Sequence, residues 1–462
     1  MGVSTHPDRE HAVVLGGSMA GLFAARVLAE FYGRVTVLDR DRLPGGPVPR
    51  RCVPQDRHLH VLLSRGTDVH DDLFPGLADE MVEHGAVRAD PVRDALWCPN
   101  GFRLRTAESG LRVVAASRPF LEAHVRERVA ALARVAIRPE SEATGLVAEA
   151  GRVRGVRVKA RSDGAEEIME ADLIVDATGR GSRAPAWLEA LGFCRPPEDK
   201  LDVGIGYSSC SFRVAPEVLH GRLAVIHPAT AANPRGGVAQ VIEGGRVLVG
   251  LSGYRGHHPP SDPAGFLAHA ASLTHPEIHE IVARGEPLEP IASHRVPTTV
   301  RRRYERLSRF PEGFLVTGDA ICAFNPVYAQ GMSVAGLEAL ALRRCLRSAG
   351  RDPAPAFFRD AARVVDGPWT MAASGDLEIP SVEGRRPFPV KAVNAWLRRL
   401  HAAAQHDASL ALAFLRVANL VDPPASLFSP RVAFRVLARR SPRAVGRGKR
   451  GRDLSIWTAS RV

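Results

Sequence analysis

The sequence predicts an α/β fold: a parallel sheet, a mostly antiparallel sheet inserted into it, and a helical C-terminal region. Three observations carry that expectation. A β-type run, a glycine turn, a helical run and a second β-type run ending on an acid occupy Ala12 to Asp39. Two later apolar runs, Leu173-Ile174-Val175 and Phe314-Leu315-Val316, each lead into small residues and an acid. Buried parallel strands look like this, and ligands bind at their carboxyl ends. Between about 196 and 295 the pattern changes to alternation, the mark of half-buried strands.

The first element is the most specific. Gly16-Gly17-Ser18-Met19-Ala20-Gly21 follows Ala12-Val13-Val14-Leu15, and Asp39-Arg40 closes the second strand. In G-x-G-x-x-G register Ser18 replaces the second glycine. Glycines there let the backbone approach a pyrophosphate at the positive end of a helix, and an acid about 20 residues on binds ribose hydroxyls. A Rossmann-like domain that holds a dinucleotide is therefore expected.

Residues 41–60 are loop-like, with Pro44-Gly45-Gly46-Pro47 at their start. Leu121, Val125, Val129 and Leu132 share one helical face and predict a helix over 118–134. Residues 135–160 alternate as strands about a turn near Gly151. Further strands are expected over 204–214, 237–242 and 246–253, the last two joined at Gly244-Gly245 as a hairpin. A loop over Pro259 to Pro263 precedes a helix through Phe266 to Leu273, while His257-His258 is expected in exposed loop. The parallel style returns over 311–347, with a helix from Gly331, and helices follow beyond 370. The expected domains are a nucleotide-binding part over 1–195, with a short excursion into the other domain near 75–115, and a substrate domain over 196–295. A return segment over 296–370, a helical region over 371–440 and a basic tail over 441–462 complete the chain.

Composition excludes several classes. A chain of 462 residues with 45% hydrophobic content can build two or three cores. Net charge is +12, nearly all of it arginine, since the lysines are Lys159, Lys200, Lys391 and Lys449. The excess gathers at Arg439, Arg440, Arg443, Arg447, Lys449, Arg450 and Arg452, among glycines and without aromatic residues to stack bases. That segment is expected to be a solvated end, with no nucleic-acid partner. Six scattered cysteines without a C-x-x-C pair suggest neither a disulfide framework nor a metal site. No signal peptide and no membrane span are expected, which places the chain in the cytoplasm.

Two further segments carry chemistry. Asp176-Ala177-Thr178-Gly179-Arg180-Gly181-Ser182-Arg183 follows the second apolar run; Thr317-Gly318-Asp319-Ala320 follows the third, with Asn325-Pro326-Val327-Tyr328-Ala329-Gln330-Gly331-Met332 beyond it. Together with the glycine turn, these resemble the three fingerprints of FAD-dependent monooxygenases with the p-hydroxybenzoate hydroxylase fold, over about three-quarters of the chain. Val53-Pro54-Gln55-x-Arg57-His58-x-His60, Ser117-Arg118-Pro119 and Phe324-Asn325-Pro326-Val327-Tyr328 extend the resemblance to the branch with bacterial polyketide olefin epoxidases. Cys52 and Ala329 stand where glycine is usual in that branch.

The resemblance implies roles. Gly16, Gly17, Ser18, Met19, Ala20 and Gly21 would face the pyrophosphate of FAD, Asp39 with Arg40 its adenosine end, and Arg50 and Arg118 its phosphates or ribityl chain. Thr178, Gly179 and Pro326 would border the cofactor, and Asp319 would bind a ribityl hydroxyl or a phosphate. Backbone N–H groups of Gly331 and Met332 would meet the flavin edge that becomes negative on reduction. No catalytic side chain is assigned, because the chemistry is centred on flavin. Tyr207, Phe212, Tyr254 and Ala329 are candidate pocket residues; His58 and His60 are expected beside the cofactor in structural roles.

The implied activity is insertion of one oxygen atom, as epoxidation or hydroxylation, into a large apolar polyketide-like substrate of secondary metabolism such as antibiotic biosynthesis. Electrons would come from NAD(P)H or a partner flavin reductase, and the basic surface could attract an acidic acyl carrier protein. The alternative is an FAD-bound cyclase of the [4+2] type without redox chemistry. Flavin halogenases typically have a Trp-x-Trp-x-x-Pro motif and a catalytic lysine; the five tryptophans here are isolated and no lysine precedes Lys159.

Overall fold

A computed structural model describes residues 9–348 and 352–438. The expected basic tail over 441–462 lies outside the described residues.

The parallel sheet has five strands, in the order Phe314–Val316, Leu173–Asp176, His11–Leu15, Arg34–Leu38, Val135–Arg138. Val14 pairs with Val175 on one side and Val37 on the other, and all three are fully buried. These runs are continuously apolar because the sheet is buried, covered by helices such as Met19–Leu28 and by the strands Ser141–Glu149 and Arg152–Ala160. The helix Met19–Leu28 packs against the long helix Gly331–Ser348 in the same core.

The helix expected over 118–134 spans Arg118–Ala130. It starts where the Ser117 hydroxyl accepts the N–H of Phe120, and Pro119 occupies its first turn. It stops early because Val35 N–H donates to Arg134 O, which draws the chain into the sheet edge.

The second sheet has Ile205–Arg213 paired with Val247–Gly253, then Arg235–Val241, then Ala224–His227, all antiparallel. A turn at Glu243–Gly245 closes the hairpin at the expected glycines. Ala95–Trp97 adds a parallel edge strand to Ala224–His227, although it lies far earlier in the sequence. One face of this sheet packs on helices Pro263–Ala271 and Glu277–Arg284. His257 and His258 were expected in exposed loop, yet both are half-buried. His258 Nε2 bonds to Gly204 O, and His257 O fills the space beside Gly253.

Helices Ala354–Asp376, Phe388–Ala404, Ala408–Ala418 and Pro430–Ala438 form the C-terminal region. The last three share a core through Leu400, Leu410, Leu415 and Leu427, completed by Leu104 and Leu111. No helix among the described residues is long and apolar enough to cross a membrane.

Candidate cofactor and substrate site

Three motifs far apart in sequence meet at the carboxyl ends of adjacent parallel strands. Their glycines show how closely. A Cβ on Gly16, which has φ +100°, would lie 2.7 Å from Ala177 O; one on Gly318, at φ +68°, would lie 2.5 Å from the Ala20 side chain. Gly179 and Gly331 both look onto Asp319, at 3.9 and 3.7 Å from their Cβ positions. Gly16 and Gly318, with positive φ and an approach under 3 Å, admit no side chain where the turns cross. Gly21 serves packing instead: a Cβ there would sit 1.8 Å from Gly16 O.

Ser18 precedes the helix Met19–Leu28 but does not cap it. Its hydroxyl donates to Glu122 Oε2 at 2.8 Å. The first N–H groups of that helix are therefore left for an external acceptor, the condition for an anion site. Glu122, which sequence reasoning placed in no functional role, is 1% exposed and organises the site. It receives Arg50 Nη1 at 2.6 Å, Arg118 Nη2 at 2.9 Å and Arg126 Nη1 at 3.4 Å. Burial would raise its pKa, but Arg118 and Arg50 outweigh burial and hold the carboxylate below its usual range. Asp39 accepts Gly17 N–H at 2.7 Å and Arg50 Nη2 at 2.6 Å through Oδ2.

These residues fit a dinucleotide. Arg118 Nη1 is buried with no protein partner, and Arg118 lines the cavity beside the open helix terminus. Of the expected cofactor residues, Gly16, Ser18, Met19, Ala20, Asp39, Arg40, Arg50, Arg118, Thr178, Gly179, Asp319, Pro326, Gly331 and Met332 all line one cavity of about 1060 Å³. Gly17 and Gly21 do not: the first turns its N–H to Asp39, and the second packs under the turn.

Asp176 is fully buried and accepts bonds from Thr178 N–H, the Thr178 hydroxyl and the Ser182 hydroxyl, so it shapes its turn. Glu338 does the same for the third motif. Its Oε2 accepts Gly318 N–H at 2.6 Å and the Thr317 hydroxyl at 2.8 Å, and burial pushes its pKa up to about 8. Burial also raises Asp319, although Arg180 and Arg118 pull the other way.

Past Asp319 the cavity turns apolar. Tyr207, Tyr254 and Ala329 line it as expected pocket residues. Phe212 does not: it stacks on Phe266 on the far face of the second sheet, one strand position out of phase with the cavity face. Tyr254 OH and Tyr328 OH donate to Asp376 Oδ1 at 2.8 and 3.1 Å, and Asn325 Nδ2 donates to it at 2.7 Å. Burial raises the Asp376 carboxyl to about 6. This cluster ties the Pro326–Tyr328 turn to the end of helix Ala354–Asp376. Ala329 follows in the left-handed region at φ 53°.

His58 and His60 line the cavity too. His58 Nδ1 bonds to Ser209 Oγ at 2.9 Å, its ring meets Tyr207 edge-on at 4.4 Å, and burial lowers its pKa to about 4. His60 is lowered to about 3, chiefly by burial. Both rings are neutral near pH 7 and bring no charge to the chamber.

The outer wall comes from both the second sheet and the C-terminal helices. Met371, Leu397, Phe414, Val417, Leu427 and Phe428 line it. Nothing in their local sequence distinguishes them from ordinary core residues.

The family described as FAD dependent oxidoreductase matches residues 12–186. Protein Rv3254 of Mycobacterium tuberculosis is 36% identical over 434 residues, covering 90% of each chain. Among solved structures, the flavin-dependent brominase Bmp2 superposes with a TM-score of 0.66 at 15% identity, covering 93% of this chain and 98% of that one. PqsL, described as a probable FAD-dependent monooxygenase from Pseudomonas aeruginosa, gives a TM-score of 0.56 at 18% identity, covering 87% and 99%. A variant of 2-methyl-3-hydroxypyridine-5-carboxylic acid oxygenase gives 0.57 at 22% identity, covering 80% and 90%. At these identities the structural likenesses establish a shared fold.

Proposed function

Because the chain belongs to the FAD-dependent oxidoreductases, we propose that it is a monooxygenase acting on a large, mostly apolar, polyketide-like substrate by epoxidation or hydroxylation. The observation that supports this best is one continuous cavity. It runs from the open helix terminus and paired arginines, past Asp319 and Gly331, into a chamber walled by apolar side chains. At about 1060 Å³ the cavity lies at the top of the range of about 300–1,000 Å³ for single small-ligand pockets, and its lining changes from phosphate-type donors to apolar side chains along its length.

Bound FAD supplies the redox chemistry: with two electrons and two protons, one atom of O2 goes to the substrate and the other leaves as water. The electrons would come from NAD(P)H or a partner flavin reductase. The chain's own residues do the rest. Arg118 and the helix terminus at Met19 bind phosphate, and Asp319 takes a hydroxyl. The N-terminus of helix Gly331–Ser348 stabilises negative charge at the edge it faces. Neutral His58 and His60, with the apolar wall, keep the chamber dry. The lining contains no lysine, the catalytic residue expected of a flavin halogenase.

The test is anaerobic reduction of the FAD-loaded protein, mixing with oxygenated buffer, and stopped-flow absorbance. A transient species between reduced and oxidised spectra is expected, followed with substrate by a product one oxygen heavier. A product of unchanged mass would establish the cyclase instead, and failure to bind FAD would overturn the reading altogether.

A further inference from the structure

The wall of the mostly apolar chamber contains a polar pair that flavin chemistry does not use. The turn Pro99–Gly101 packs between strand Ala224–His227 and helix Phe388–Ala404. Asn100 at its centre is held in the left-handed region at φ 52°, which asparagine tolerates better than most residues. Its side-chain Nδ2 lies 3.0 Å from His401 Nδ1. An amide N–H can only donate, so Nδ1 accepts and the ring proton resides on Nε2.

His401 Nε2 is buried and has no hydrogen-bond partner. The residue is 4% exposed, and burial lowers its pKa to about 3, so the ring stays neutral. Its ring meets Phe414 edge-on at 4.4 Å, and Leu397 and Phe428 share the wall with it. Asn100 and His401 both line the cavity. A buried N–H without an acceptor is destabilising until an acceptor reaches it. Across the same turn His227, also in the lining, places Nε2 3.5 Å from Glu277 Oε2. His401 thus offers a buried ring N–H without an acceptor in the wall of a mostly apolar chamber.

We propose that Asn100 and His401 form a terminal anchor that receives a hydrogen-bond-accepting oxygen, a carbonyl or an ether, on an otherwise apolar substrate. Asn100 sets the tautomer, and His401 Nε2–H donates to the ligand. The anchor rests on the reading of this chamber as the substrate site, and it adds a donor that sets which way the substrate lies.

Two shape-matched probes test it on the FAD-loaded protein: 2-undecanone, and 2-methyl-1-undecene, in which C=CH2 replaces C=O. Each competes against Nile red bound in the chamber. His401→Phe should lower the ketone-to-alkene affinity ratio about tenfold, with alkene affinity, melting temperature and FAD content unchanged. Asn100→Gly, which keeps the backbone conformation, should lower the ratio in the same direction. In ¹⁵N-histidine-labelled wild-type protein the ketone, and not the alkene, should shift the His401 Nε2 resonance. This readout needs no variant to fold. An unchanged ratio in His401→Phe, or a resonance that the ketone leaves in place, overturns the anchor while the chamber stands. If neither probe displaces Nile red, the anchor falls with the substrate reading, while FAD binding and oxygen reactivity are judged by stopped flow.

Discussion

The two ends of the cavity are built on opposite principles. The end at the glycine turn is polar and preassembled: Glu122 alone gathers three arginines and a serine in a buried network. The outer end is apolar, walled by elements that are hundreds of residues apart in the chain, and its histidines are neutral. The difference teaches where tolerance lies. Binding a charged, invariant group requires fixed donors and close backbone approach. Enclosing an apolar molecule requires only volume and dryness, which many side chains supply.

The largest expected effect breaks the rigid end. Gly21→Ala would place a methyl 1.8 Å from Gly16 O. Relief requires the helix to leave the strand, at or above the upper end of the about 1–3 kcal/mol typical of overpacking. The purified variant should contain little or no flavin by absorbance, and its urea midpoint should fall; normal flavin content would show that the turn is not the cofactor's seat. Next is Glu122→Ala, which strands Arg50 and Arg118 in a buried site. Removing one partner of a buried ionic network costs about 3–5 kcal/mol. A loss below about 1 kcal/mol by denaturant titration would mean that water reaches the arginines and that the contrast between the ends is weaker than drawn.

The same contrast explains what could be seen in the sequence. The glycine turn, Asp39, the strand at Leu173 and the Gly318-Asp319 turn were visible because backbone geometry dictates residue type there: a φ of +100° or an approach under 3 Å admits glycine alone. Glu122 was visible only as a neighbour of Arg118 on a helix surface, since burial of that surface depends on the loop that brings Arg50 to it. Glu338 and Asp376 lie inside helices, where nothing local marks a glutamate or aspartate as buried. Phe212 was misplaced because strand alternation gives two faces without saying which one meets the cavity. The C-terminal lining was hidden for the same reason: an apolar helix face shows that it packs, not against what.

A smaller effect probes Glu338 under the third motif. Its pKa is raised from 4.5 to about 8, so the folded state binds the proton more tightly than the unfolded one. Its contribution is therefore fully present below about pH 4.5 and is lost as pH rises through about 8. Glu338→Gln keeps an acceptor for Gly318 N–H and the Thr317 hydroxyl but cannot ionise. It should match the wild type near pH 4.5 and exceed it by at most a few kcal/mol above pH 8, as read from denaturation midpoints across pH. Parallel wild-type and variant profiles would show that Glu338 ionises freely.

The smallest effect lies where the two ends join. Ala329 occupies φ 53°, ψ 25° directly after the Pro326–Tyr328 turn. A left-handed alanine is disfavoured by about 1–2 kcal/mol. The turn holds it there because Tyr328 OH and Asn325 Nδ2 are both tied to Asp376. Ala329→Gly removes that strain but gives the unfolded chain about 0.4–1 kcal/mol of extra freedom. The net should be a stabilisation of about 0.5 kcal/mol, seen as a small rise in melting temperature. Ala329 also lines the cavity between Tyr328 and the helix starting at Gly331. If its methyl helps close the polar end against the chamber, the glycine variant should gain stability and yet form less oxygenated product, releasing more hydrogen peroxide per reductant consumed. If stability rises and coupling is unchanged, the methyl only fills space, and the chamber's dryness rests on the apolar wall alone.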